Sequence, residues 1–298
     1  MRMEESFKID FIGIGVAKSG TTWLADNLRN HPQIFIPGKK ELIYFNKIMP
    51  FGDEIRNYRY EKPIDWYHAF FENAKPGQIK GEFSPHYFTS KEAVKKIHQY
   101  HPDIKLIAIL RNPVEVAFSR YQFGVQIGEI RAASFAEAVK KQPSIISHGF
   151  YYKYLEKYFD RFPRKNIKIL LFESVKTNPE ALYKEVLDFL NADEFFPDSL
   201  YERSNKTKGN KNQFLNYFIT SSRNFIHKHN LHFVKPLLRY SGISPLAEYI
   251  RDNWNVASTT GRERLDNDSV KMLHDCYSTD IEKLEKLIDR DLSHWKAC

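Results

Sequence analysis

The chain has 298 residues, 42% hydrophobic and 15% aromatic, enough for a sizeable core in one large α/β domain or two small ones. It contains no run of about 18 uncharged apolar residues and no hydrophobic leader before its first strand, so no membrane span and a cytoplasmic location are expected. The two cysteines, Cys276 and Cys298, exclude a disulfide framework and a cysteine metal cluster, and the net charge of +8 favours anionic ligands.

The densest signal comes first in the chain. An apolar β-prone run, Phe11 to Val16, feeds a Lys/Ser/Gly loop that opens into Thr22-Trp-Leu-Ala-Asp-Asn-Leu28 at helical spacing. Strand, loop and helix in this order collect backbone N–H groups at the positive end of a helix, which suits a phosphate or another compact oxyanion. Gly15, Gly20 and Thr22 match the spacing of a Walker A loop, but Thr21 stands where its lysine belongs and Lys18 lies inside the loop instead. The best later strand, Ile104 to Leu110, ends in Arg111-Asn-Pro rather than in an acidic magnesium ligand. A site built from cations, without a metal, is expected.

Beyond the first helix, His31 to Gly38 reads as a short β-like piece, followed by Lys39-Lys-Glu-Leu-Ile-Tyr-Phe45. A short helix is expected at Ile64 to Phe71, a strand at Gln78 to Phe83, and a helix at Lys91 to Tyr100 with Ala93, Val94 and Ile97 inward. Ile104 to Leu110 is a near-continuous apolar run of the kind found in the middle of a parallel sheet. Asn112 can cap the next helix, with Pro113 in its first position. Further helices are expected at Phe135 to Lys140, Tyr151 to Arg161, Ala181 to Leu190 and Val270 to Ile288, and a strand at Asn166 to Phe172. The alternation predicts an α/β fold, a three-layer P-loop-like parallel sheet flanked by helices, with a helical C-terminal extension.

Two motifs together resemble those of sulfotransferases that use 3′-phosphoadenosine 5′-phosphosulfate (PAPS), both heparan-sulfate-type and bacterial. Ala17-Lys-Ser-Gly-Thr-Thr-Trp-Leu24 resembles their 5′-phosphosulfate loop. Arg111-Asn-Pro-Val-Glu-Val-Ala-Phe-Ser-Arg-Tyr121, about ninety residues on, resembles their 3′-phosphate motif, with Arg111 and Ser119 in the matching positions. The resemblance implies that Lys18, Ser19, Gly20, Thr21, Thr22 and Trp23 hold the sulfonated phosphate and that Lys18 stabilises charge on the leaving group. It implies sulfuryl transfer from PAPS to an acceptor hydroxyl or amine, leaving adenosine 3′,5′-bisphosphate, with a carbohydrate as the expected acceptor. A lipid or small-metabolite acceptor is the alternative. A metal-dependent nucleotide kinase and a non-catalytic nucleotide or polyanion binder are the rival classes.

In the same resemblance Glu41 matches the glutamate that deprotonates the acceptor. His86 is the other candidate base, since an unperturbed imidazole titrates in the useful range. Lys40, Glu41, His86 and Tyr87 are the expected acceptor-side residues. The chain departs from the heparan-sulfate-type pattern at Glu82-Phe83-Ser84-Pro85, where Phe83 stands in place of a lysine expected to assist at the reacting centre.

Between Arg203 and Tyr240 there are eight Lys and Arg residues and no Asp or Glu. A single domain is expected, with a core over 1–200, a basic helical insertion over 201–262 and a terminal helix over 263–298 packed on the core. Within the insertion, Asn205-Lys-Thr-Lys-Gly209 is the favoured loop over the 3′-phosphate and adenine, with Lys208 and Gly209 its contacts, and Thr260-Gly-Arg262 is the second candidate. The amphipathic segment from 211 to 239 fits a lid over an anionic acceptor, a peripheral membrane contact, or a plain solvated face. The expected partners are an anionic nucleotide and an acceptor alcohol, not nucleic acid.

Overall fold

The computed structural model describes residues 7–49, 56–202 and 265–296, with short pieces at 209–210, 221–222, 225 and 256–257. Strands β1 (Phe11–Gly15), β2 (Ile34–Phe35), β3 (Ile79–Phe83), β4 (Lys105–Leu110) and β5 (Ile167–Leu171) pair in parallel in the order β2-β3-β1-β4-β5. After β1 the chain builds one side of the sheet, then returns to build the other. The loop following β1 therefore opens at the point where strand order reverses, where open α/β sheets place ligands.

Among the described residues within 7–202 and 265–296 the helices are α1 (Thr21–Arg29), α2 (Ile64–His68), α3 (Lys91–Tyr100), α4 (Pro113–Gln126), α5 (Phe135–Lys141), α6 (Ser144–Ser147), α7 (Tyr151–Phe159), α8 (Phe172–Thr177), α9 (Pro179–Leu190) and α10 (Asn267–Ile288). Side chains alternate across each strand, so the sheet feeds two cores. Phe11, Phe83, Ile107, Ile109 and Leu170 meet α1 and α9 on one face. Ile12, Ile14, Leu106, Ala108 and Leu110 meet α3, α4, α7 and α10 on the other. Each large apolar side chain fully buried in these layers contributes about 1.5–3 kcal/mol. The three-layer parallel architecture is thus the one expected from the alternation of strand and helix.

Local signals set the helix starts. Ser90, Asn112 and Asn178 accept from the amides of Ala93, Val114 and Ala181, each such cap contributing about 1 kcal/mol. Helix α7 has no side-chain cap of its own. Asp280 of α10 supplies one, accepting from Tyr152 N at 2.9 Å and Lys153 N at 3.2 Å, which helps fix the terminal helix on the core. Trp295 is fully buried, and its Nε1 donates to Glu173 Oε1 at 3.1 Å. The same carboxylate oxygen accepts from Asn112 N at 3.2 Å, so the C-terminal segment reaches the turn after β4.

Two elements differ from expectation. Phe172 begins α8 rather than ending β5, because β5 loses its partner where β4 stops at Leu110, opposite Leu171; the Phe172 ring packs against Gly20. Within the stretch expected to be helical, Gly209–Asn210 (β6) and Val256–Ala257 (β7) are instead an antiparallel pair. Backbone pairing between distant segments overrides local periodicity there. The rest of the 201–262 expectation, the lid reading of 211–239 included, falls almost wholly outside the described residues.

Candidate active site

The loop after β1 turns through Lys18 at φ +73° and Gly20 at φ +88°. A side chain at Gly20 would strain the backbone and place a Cβ 2.9 Å from Phe172 Cδ2, so the position suits glycine alone. Leu24 N donates to Gly20 O at 3.1 Å as the first hydrogen-bonded turn of α1 closes, which leaves the amides of Thr21, Thr22 and Trp23 at the open N-terminus. Ser19 does not share that role. Its amide donates to Val16 O at 3.2 Å, closing the turn, and its side chain is fully buried. The Trp23 ring does not enter the site either: it is buried in the core layer that α1 shares with α9, and its Nε1 donates to Leu200 O at 3.0 Å.

Arg111 Nη1 donates to Lys18 O at 3.1 Å, bringing together the two motifs that the sequence separates. The guanidinium lies 4.7 Å from the Phe172 ring centre and pairs with Glu115 Oε2 through Nε at 2.7 Å and Nη2 at 2.6 Å. Ser119, one helical turn beyond Glu115 on α4, shares its face. Tyr151 OH donates to Arg111 O at 2.7 Å and steadies the turn.

The cations here repel one another. Burial, followed by the charges of Arg111, Arg120 and Lys40, pulls the Lys18 ammonium down to about 8, and its Nζ sits 4.2 Å from the Phe123 ring centre. Burial likewise lowers Lys40, whose Nζ donates to Thr22 Oγ1 at 2.7 Å. Arg120 was not singled out from the sequence, although it directly follows Ser119 in the quoted motif. Burial lowers it too, and its buried Nε has no hydrogen-bond partner among the described residues. A crevice that holds desolvated cations this close is poised for a multiply charged anion.

On the acceptor side, Glu41 Oε2 lies 3.6 Å from His86 Nε2. Burial raises the Glu41 carboxyl above its ordinary value, with Lys40 and Arg59 opposing. Burial, then Arg120 and Lys40, pushes His86 down to about 3, so the imidazole is neutral and a poor proton acceptor. Of the two candidate bases, burial and charge favour Glu41 as the stronger proton acceptor. Burial lowers His148 as well, with Arg120 and His86 adding to the effect. Tyr87, expected to meet the acceptor, is fully buried and donates to Glu82 Oε1 at 2.8 Å; it supports the site from behind.

Phe83 also differs from expectation. Strand alternation turns it away from the crevice and onto Phe11, with ring centres 6.1 Å apart, where it fills the space over Gly13. A Cβ on Gly13 would lie 2.0 Å from Phe83 Cδ1. Position 83 is therefore core, and the local supply of positive charge comes from Lys18, Lys40 and Arg120. Gly209 lies in β6, while Lys208, Thr260 and Arg262 fall outside the described residues.

A parallel sheet with a glycine loop and helix N-terminus at its switch point, lined by side-chain cations, defines a P-loop-like α/β protein with an oxyanion pocket. The Sulfotransferase domain family matches residues 8–240, and the chain belongs to that family. It is 30% identical over 203 residues to heparan sulfate glucosamine 3-O-sulfotransferase 6 of Homo sapiens, covering 66% of this chain and 56% of that protein. It is also 30% identical over 204 residues to heparan sulfate glucosamine 3-O-sulfotransferase 3B1 of Homo sapiens, covering 66% of this chain and 49% of that protein. The chain thus spans about half the length of these relatives. The crystal structure of a sulfotransferase from Alicyclobacillus acidocaldarius has the same fold, with a TM-score of 0.70 at 24% identity over 98% of this chain and 100% of that one.

Proposed function

We propose that this chain transfers a sulfuryl group from PAPS to an acceptor hydroxyl or amine, with a carbohydrate as the acceptor class. The observation that carries this proposal is the meeting of Lys18 with Arg111 in one cationic crevice, next to a segment that presents Glu41. Lys40, the residue before Glu41, bonds Thr22 in the first turn of α1, so the base-bearing segment is fastened to the anion loop itself.

In this assignment the Thr21, Thr22 and Trp23 amides hold the 5′-phosphate, and Arg111 with Ser119 holds the 3′-phosphate. Arginine suits the latter because its planar fork pairs with two oxygens at once. Glu41 takes the acceptor's proton as that oxygen bonds to sulfur. Lys18 meets the charge that gathers on the phosphate oxygen as the old S–O bond breaks. Side-chain cations supply the stabilisation, so no metal ion is required. The names of the relatives, which act on heparan sulfate glucosamine, favour a carbohydrate acceptor.

The test is to incubate the protein with ³⁵S-labelled PAPS and heparan sulfate, and in parallel with fractionated extract, in excess EDTA. Label should enter a carbohydrate fraction. PAPS binding without transfer to any fraction would assign a non-catalytic binder, and loss of transfer on chelation would assign metal-dependent chemistry.

A further inference from the structure

Residue 82 on β3 faces the layer opposite to Phe83, which puts a carboxylate among aromatic rings. Glu82 is 2% exposed. A buried carboxylate is costly unless its oxygens are satisfied, and here they are satisfied by hydroxyls with no cation among them. Ser84 Oγ donates to Oε2 at 2.7 Å, and Tyr87 OH and Tyr67 OH donate to Oε1 at 2.8 and 3.0 Å. Burial is the main cause that pushes the carboxyl up to about 7; the three hydroxyls oppose it and the charge of Glu41 adds to it.

Two of those hydroxyls carry a second bond. Ser84 Oγ accepts from Ile43 N at 3.0 Å, and Tyr87 OH accepts from Phe45 N at 3.4 Å. A hydroxyl has one proton to give. Because that proton is committed to Glu82, the lone pairs of both oxygens are turned to the amides of residues 43 and 45. The carbonyls of the same segment are held from the other side. Arg59 Nη1 donates to Glu41 O at 3.0 Å and Leu42 O at 2.8 Å, and Asn57 Nδ2 donates to Ile43 O at 2.6 Å and Asn46 O at 2.7 Å.

We propose that Glu82 is a positioning residue for Glu41: through Ser84 and Tyr87 it sets the amide side of the 41–45 segment and so aims the Glu41 carboxylate. The assignment of Glu41 as base rests on the function proposed above. The role of Glu82 does not require it to touch donor or acceptor. An apolar side chain would satisfy the core but would leave both hydroxyls free to rotate.

The test uses Glu82→Gln, Ser84→Ala and Ser84→Thr in the full chain. Glutamine has one acceptor oxygen, so at least one hydroxyl loses its anchor. Ser84→Ala removes the Ile43 arm and leaves the carboxylate with its tyrosines. Both variants should lower kcat for ³⁵S transfer to heparan sulfate by about 10- to 100-fold, the scale of a slightly misplaced catalytic group, with KM for PAPS and the affinity for adenosine 3′,5′-bisphosphate within about two-fold. Amide exchange at Ile43 and Phe45 should quicken in Glu82→Gln, and at Ile43 in Ser84→Ala. Ser84→Thr, which keeps the hydroxyl, should restore both readouts.

Wild-type kcat in Ser84→Ala overturns the proposal, and so does unchanged exchange at Ile43. An equal loss of nucleotide affinity would make the network merely structural. If the wild-type protein fails to label heparan sulfate, the acceptor assignment falls, while the exchange measurement still decides whether Glu82 holds this segment.

Discussion

Arg111 donates from Nη1 to the backbone oxygen of Lys18 at 3.1 Å across a separation of 93 residues. The guanidinium at the end of β4 thereby fixes the turn that carries the ammonium, and two motifs far apart in the chain meet at one crevice. Phe172 lies against both, its ring next to Gly20 and 4.7 Å from the Arg111 guanidinium.

Lys18→Ala should abolish transfer while circular dichroism shows an intact fold. In the free protein the ammonium titrates at about 8, so kcat/KM for PAPS should fall as pH rises through that value. Arg120→Gln removes one of the charges that lower Lys18 and should move this alkaline limb upward; an unmoved limb would place Arg120 outside the pocket. Stability runs the other way. With 10.5 as the unfolded value and about 8 as the folded one, the unfolded chain binds more protons between them, so stability rises with pH across that window. Lys18→Met should therefore raise Tm at pH 7.

Arg111→Ala should weaken binding of adenosine 3′,5′-bisphosphate far more than binding of ADP, by roughly 10- to 100-fold against a few-fold, the scale of losing a charge-assisted bidentate contact. Calorimetry on the two nucleotides checks it, and equal losses would put the 3′-phosphate elsewhere. Glu115 occupies the same guanidinium in the free protein. Glu115→Gln should accordingly tighten the 3′-phosphorylated nucleotide, and unchanged or weaker binding would show that this pair does not compete.

Glu41→Gln should lower kcat by about 10²- to 10⁴-fold, the usual contribution of a general base. The folded carboxyl is raised above 4.5, and the base must be ionised, so the acid limb of the kcat/KM profile should lie above that value, with activity lost as pH falls through it. A limb near 3, together with a larger loss in His86→Ala than in Glu41→Gln, would reassign the base to His86.

Phe83→Lys should not improve catalysis. It should destabilise the fold by about 3–5 kcal/mol, because a buried aromatic in contact with Phe11 would be exchanged for a desolvated ammonium. Chemical denaturation measures this, and a lysine variant of unchanged stability would mean that position 83 opens to the crevice after all.

Much of the fold was legible because its signals are local. The apolar run of β4, the Asn112 cap with Pro113 and the glycines around Lys18 each act over a few residues, and the sequence displays them directly. Ser19, Tyr87 and the ring of Trp23 lie away from the crevice, and Phe83 lies in the core, for a common reason. A motif names positions, but whether the side chain or only the backbone faces the ligand depends on which side of a strand or helix it occupies. Arg120 and Glu82 went unassigned because their roles come from neighbours distant in sequence: Lys18 and His86 for the one, Tyr67 and the 43–45 amides for the other.

Read along the chain alone, the alternation of strands and helices, the glycine loop and the two cations Lys18 and Arg111 were already visible. These depend on periodicity, on glycine's tolerance of positive φ, and on charges at the ends of strands. How the two candidate bases, a carboxyl and an imidazole, differ in basicity emerged from the folded chain alone. Desolvation separates Glu41 from His86 by moving one up and the other down in pKa, and it is a property of the packed surroundings. The same packing sets Glu82 behind Glu41, where three hydroxyls from separate parts of the chain converge on a single buried carboxyl.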